Sequence, residues 1–131
     1  MQAKRIDHVV IAVKDLEAAV KTYQDNFGLV KVSEGEMPAL GIRNAFLQIG
    51  DAQLELMTPL TGQGPVASFL EKQGEGMYLL SLEVDNLDKA VAEMQGQGIR
   101  VSVAEGTAGR RLAFVSPKAT HGVLLQLLER P

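Results

Sequence analysis

The chain has 131 residues, 46% of them hydrophobic and 22% charged, the balance of one soluble globular domain long enough to bury a core. A net charge of −3 without a basic stripe argues against nucleic acid as a partner, and the lack of cysteine removes disulfides, thiolate nucleophiles and thiolate metal sites together. Met1-Gln2-Ala3-Lys4-Arg5 leads directly into strand pattern with no signal-peptide core, and no apolar run approaches the roughly 20 residues that span a bilayer. A cytoplasmic protein with no membrane association is expected.

Ile6 to Val13 reads as a buried strand, with Ile6, His8, Val10 and Ala12 on one face and Asp7, Val9, Ile11 and Val13 on the other. Asp15 is a helix N-cap, and Leu16, Ala19, Val20 and Tyr23 continue at helical spacing to Phe27, where Gly28 closes the helix. A short strand follows at Leu29–Val32, then a loop or distorted edge from Ser33 to Gly41. Strands are predicted at Ile42–Ile49 and Gln53–Met57, joined by a Gly50-Asp51 turn. The linker 58–76 holds the loop Thr61–Pro65 and a short helix from Val66 to Lys72. The plan then restarts: strand Tyr78–Val84, helix Asn86–Gln97 closed by Gly98, and strands Ile99–Val103, Leu112–Ser116 and Gly122–Leu128. Gly106 to Gly109 is a loop, and Thr107-Ala108-Gly109 is too slight a glycine signal to claim phosphate binding.

The restart is a repeat. Val13 to Val20 lies over Val84 to Val91 without a gap, an offset of 84 − 13 = 71. Leu54-Glu55-Leu56 lies over Leu125-Gln126-Leu127 at the same offset, while Ala45-Phe46-Leu47 and Ala113-Phe114-Val115 differ by 113 − 45 = 68, so the second hairpin is three residues longer. Two copies do not make a solenoid. They predict an α+β fold of two tandem βαβββ modules, at about 5–57 and 77–129, forming a curved mixed sheet with a cleft where matching positions meet.

The repeat selects His8 with its mate Leu79, and Glu55 with its mate Gln126. Glu55 and Gln126 each stand between two leucines. A desolvated carboxylate costs several kcal/mol unless paired or bound to a metal, and a histidine beside it can ligate a divalent ion or move a proton. The alternative is that strand alternation puts His8, Glu55 and Gln126 on a solvated face, where they need no function. His121 falls in the turn before the last strand as a solvated residue, and Arg110, Arg111 and Lys118 are expected as surface charges.

On these residues the chain resembles the vicinal oxygen chelate superfamily, the group of glyoxalases, bleomycin-resistance proteins and extradiol dioxygenases, and within it the methylmalonyl-CoA epimerase branch. The resemblance rests on Ile6-Asp7-His8-Val9, Ala12-Val13, Tyr23 and Phe27-Gly28-Leu29 at the start. It continues through Gln53–Leu56, Pro65–Leu70, Gly76, Glu83–Asn86, Pro117-Lys118 and Gly122–Leu125. It implies a divalent metal held by a His, a Gln or Glu, a second His and a Glu, which stabilises an enolate while carboxylates exchange a proton. His8 and Glu55 match the first two positions; Leu79 stands where the second His belongs, Gln126 where the closing Glu belongs, and a further family glutamate falls near Asn44.

The expectation is therefore a glyoxalase- and epimerase-like protein with a degenerate metal site, binding a small organic ligand without a cofactor. His8, Asn44, Glu55, Leu79, Ser81 and Gln126 are expected to line its pocket. The alternative is a metal-dependent isomerase, epimerase or lyase with His8 and Glu55 catalytic, a divalent ion such as Co, Mn, Ni, Zn or Mg then resting on His8, Glu55 and Gln126. The resemblance also implies a homodimer.

Overall fold

The computed structural model describes residues 1–106 and 110–131, so the Thr107–Gly109 part of the predicted glycine loop lies outside the described residues. Its contacts divide the chain into two compact units, one of residues 8–78 and one of residues 1–7 with 79–131.

In the 8–78 unit, strand β1 (Ala3–Ala12) contributes its second half. It is followed by helix α1 (Leu16–Phe27), β2 (Val30–Met37), a 3-10 turn at Pro38–Leu40, β3 (Ile42–Ile49), β4 (Ala52–Pro59) and helix α2 (Pro65–Gln73). The strand order is β2-β3-β4-β1, antiparallel except for the parallel β4–β1 pair. The Asp15 carboxylate accepts the Ala18 N–H and so starts α1, satisfying one of the donors a helix leaves open. Gly28, at φ 69°, ends it in the left-handed conformation that costs glycine least.

Strand alternation then sorts the two faces. Val9 and Ile11 of β1, Val13 just beyond it, Ala45 and Leu47 of β3, and Leu54 and Leu56 of β4 pack with Leu16 and Val20 of α1. His8, Asn44, Phe46 and Glu55 occupy the intervening positions and face away from α1. At one end of that second face, Val66 and Leu70 of α2 pack against Ala12, Ile42, Met37 and Met57.

The other unit repeats the plan with β5 (Gly76–Val84, from Leu79 onward), α3 (Leu87–Gly96), β6 (Val101–Glu105), β7 (Arg111–Val115) and β8 (Leu125–Leu128). The order is β5-β8-β7-β6, again with one parallel pair, β5–β8. Asn86 caps α3 by accepting the Lys89 N–H, as Asp15 does for Ala18, and both residues of that pair lie 71 positions on. Ala113, Val115, Leu125, Leu127, Leu82 and Val84 pack with Leu87 and Ala90 of α3. Leu79, Ser81 and Gln126 therefore lie on the face away from that helix. The segment Met1–Asp7 is tied in through Arg5 to Glu83 at 2.9 Å and through Asp7 to Arg130, whose guanidinium also reaches Asp7 Oδ2 at 2.9 Å.

Several boundaries differ from the sequence reading. Strand β2 continues to Met37, through the stretch expected to be a loop or distorted edge; a bulge between Lys31 and Ser33 absorbs the irregularity. Strand β6 begins at Val101, two residues later than expected, because Ile99 still packs on α3 and its N–H bonds the Met94 carbonyl. Strand β8 begins at Leu125, not Gly122, since His121 and Gly122 take positive φ values of 60° and 92° and hold the chain in a turn.

Candidate functional site

Glu55 lies on β4 with Val10 of β1 on one side and Phe46 of β3 on the other. Its diagonal neighbours on those strands, two residues along, are His8 and Asn44, within reach of a long side chain. Both are used. Asn44 Nδ2 donates to Glu55 Oε2 at 2.9 Å, and His8 Nε2 stands 3.5 Å from Glu55 Oε1. The Phe46 ring meets the His8 imidazole edge-on at 6.1 Å, and Met37 Sδ lies 3.7 Å from Asn44 Nδ2.

These polar groups are not on a solvated face. His8 is 8% exposed, Asn44 6%, Glu55 5% and Gln126 9%. The reading in which they are merely solvated is thereby overturned; strand alternation set them opposite the helices, and that face is also buried. Burial raises the proton affinity of Glu55 above that of an ordinary carboxyl, while the Asn44 hydrogen bond and the His8 imidazole pull the other way. A carboxyl held so is suited to taking a proton from a weak carbon acid.

In the other unit Ser81 and Gln126 are direct partners across β5 and β8. Ser81, fully buried, donates its hydroxyl to Gln126 Oε1 at 2.8 Å. Leu79, 6% exposed, offers only hydrocarbon. His121, Arg110, Arg111 and Lys118 are exposed, and Arg111 is paired with Asp88.

The residues present do not fit the four-ligand metal centre that the resemblance implies. Among the described residues no three His, Asp or Glu side chains gather where they could share an ion. Leu79 has no donor atom, the Gln126 carbonyl is engaged by Ser81, and one Glu55 oxygen is engaged by Asn44. At most His8 and part of the Glu55 carboxylate could serve, fewer than the three protein ligands of a usual catalytic site.

Phe46 and Met37 were not singled out in the sequence. Phe46 could have been: it shares the alternation of Asn44 on β3, and its repeat mate Phe114 stands beside Gln126 as Phe46 stands beside Glu55. Met37 carried no such signal, because the loop expected around it concealed the strand.

Residues 7–114 match the model of the Glyoxalase/Bleomycin resistance protein/Dioxygenase superfamily. The chain belongs to that superfamily. Among its relatives, the human mitochondrial methylmalonyl-CoA epimerase is 38% identical over 128 residues, covering 94% of this chain and 72% of the human protein. The crystal structure of methylmalonyl-CoA epimerase from Mycobacterium tuberculosis superposes with a TM-score of 0.89 at 37% identity, over 98% of this chain and 89% of that one. A variant of the Streptomyces coelicolor methylmalonyl-CoA epimerase, solved in complex with 2-nitronate-propionyl-CoA, gives 0.88 at 31%, over 98% of each chain. The eight strands and three helices of the described residues thus make the α+β glyoxalase-like fold of the epimerase structures.

Proposed function

We propose that this superfamily member binds a small 2-substituted acyl thioester, of the methylmalonyl-CoA class, without a metal ion. The residues we propose to meet the ligand are His8, Asn44, Glu55, Leu79, Ser81 and Gln126. The ligand class is supported by relatives that are methylmalonyl-CoA epimerases, one of them solved in complex with methylmalonyl-CoA. Metal independence rests on one observation: the Glu55 carboxylate is already served by Asn44 and His8, while Leu79 supplies no second imidazole. A cytoplasmic homodimer is part of the proposal. Light scattering reads the dimer directly.

Calorimetric titration of methylmalonyl-CoA tests the main reading. One ligand per chain, with an affinity unchanged by EDTA, is expected. Binding that appears only after a divalent metal is added would overturn it.

A second reading, proton exchange at the acidic carbon, is favoured by the raised proton affinity of Glu55. Glu55 takes the C2 proton, the C–H electron pair passes to the thioester oxygen as an enolate, and His8 stabilises that oxygen by donating a hydrogen bond. Deuterium then enters C2 from heavy water. The NMR signal of the C2 proton should decay with the wild type and persist with Glu55→Gln; persistence with the wild type too would confine the protein to binding.

A further inference from the structure

The two repeats carry opposite hydrogen-bonding characters at one matched position. Glu55 offers a carboxylate; Gln126, 71 residues later, offers an amide whose direction is set by Ser81. Ser81 Oγ donates to Gln126 Oε1 at 2.8 Å, so the carbonyl end of the amide is the engaged one. The repeat mate of Ser81 is Val10, which has no hydroxyl, so this device belongs to one repeat alone. Among the described residues the Gln126 amide nitrogen makes no hydrogen bond, yet no buried side-chain nitrogen or oxygen lacks a partner. That nitrogen is therefore open to solvent, in a side chain that is otherwise buried.

We propose that Ser81 is a positioning residue that turns Gln126 so that its amide N–H groups, rather than its carbonyl, contact an oxygen of the ligand's acyl portion. An open primary amide nitrogen can only donate, and its complement is an acceptor: the carboxylate, the thioester carbonyl or an enolate oxygen of a 2-substituted acyl thioester. Free CoA lacks all three. The inference rests on the acyl-thioester reading and adds to it the atom that recognises the acyl group.

The test follows the Gln126 side-chain amide by proton–nitrogen NMR, its signals assigned by their loss in Gln126→Met. With methylmalonyl-CoA one amide proton should move downfield, and with CoA neither should move. Gln126→Met should weaken methylmalonyl-CoA roughly ten- to a hundredfold, the range for a hydrogen bond to a charged acceptor, and leave CoA binding unchanged. In Ser81→Ala the amide loses its anchor, and the affinity for methylmalonyl-CoA should fall severalfold while the two amide proton signals draw together.

Methylmalonyl-CoA that binds with both Gln126 signals unmoved would overturn this inference alone, as would an equal shift with CoA. If the wild type binds neither compound, the acyl-thioester reading fails and this inference fails with it.

Discussion

Glu55 carries a carboxylate in an apolar stretch, between Leu54 and Leu56 with Val10 and Phe46 at its sides, and its raised proton affinity has a thermodynamic consequence. Between the ordinary 4.5 and the raised folded value, the folded protein holds a proton there that the unfolded chain has released. Stability from that group is thus full below about 4.5 and is lost as pH rises through the folded value. Glu55→Gln should remove this slope in denaturant unfolding and leave the variant no less stable than wild type at neutral pH; an unchanged slope would show that Glu55 is not the group. Asn44→Ala strips Glu55 of its 2.9 Å donor. It should cost about 1–3 kcal/mol in the same experiment and raise the proton affinity of Glu55 further. His8, Glu55 and Gln126 were legible in the sequence because an internal repeat isolated them, each inside an apolar strand. That Asn44 donates to Glu55 was not, since the contact is a diagonal one between strands and depends on hairpin register. The Ser81–Gln126 bond was hidden in the same way, by a parallel pairing of segments 45 residues apart.

At the scale of the element, the repeat extends beyond the residues that revealed it. Helices α1 and α3 each start on a capping side chain at the same place in the repeat, Asp15 or Asn86. Each also has an acidic residue in its first turn paired with an arginine of the hairpin, Glu17 with Arg43 and Asp88 with Arg111. The exposed ion pairs add little, but the caps matter. Asp15→Ala should cost about 1 kcal/mol, read as a shift in the chemical-unfolding midpoint. Strands with clean alternation and helices bounded by a cap and a glycine could be read within a residue or two. β2 could not, because a bulge and the residues Gly35, Pro38 and Gly41 look like loop chemistry, and β8 was overdrawn because the turn at His121 breaks no apolar pattern. Inside the 8–78 unit, Leu56 is fully buried between β1, β3 and α1; Leu56→Ala should cost about 2–5 kcal/mol.

At the scale of the molecule, family and chemistry are written in different residues. The core positions that make the βαβββ plan are spread along the chain, so likeness to the epimerases survives over 94–98% of its length. A reaction depends on a handful of side chains, and at the positions proposed to meet the ligand this chain has His8, Asn44, Glu55, Leu79 and Gln126. A fold hosts many chemistries, and the donors on it decide which one is available. The central claim is that this donor set does not retain a divalent metal. Elemental analysis of the purified protein, before and after soaking in cobalt, manganese, nickel or zinc and desalting, tests it most directly. Metal well below one ion per chain under every loading is expected; near-stoichiometric metal that disappears in His8→Ala or Glu55→Ala would contradict it.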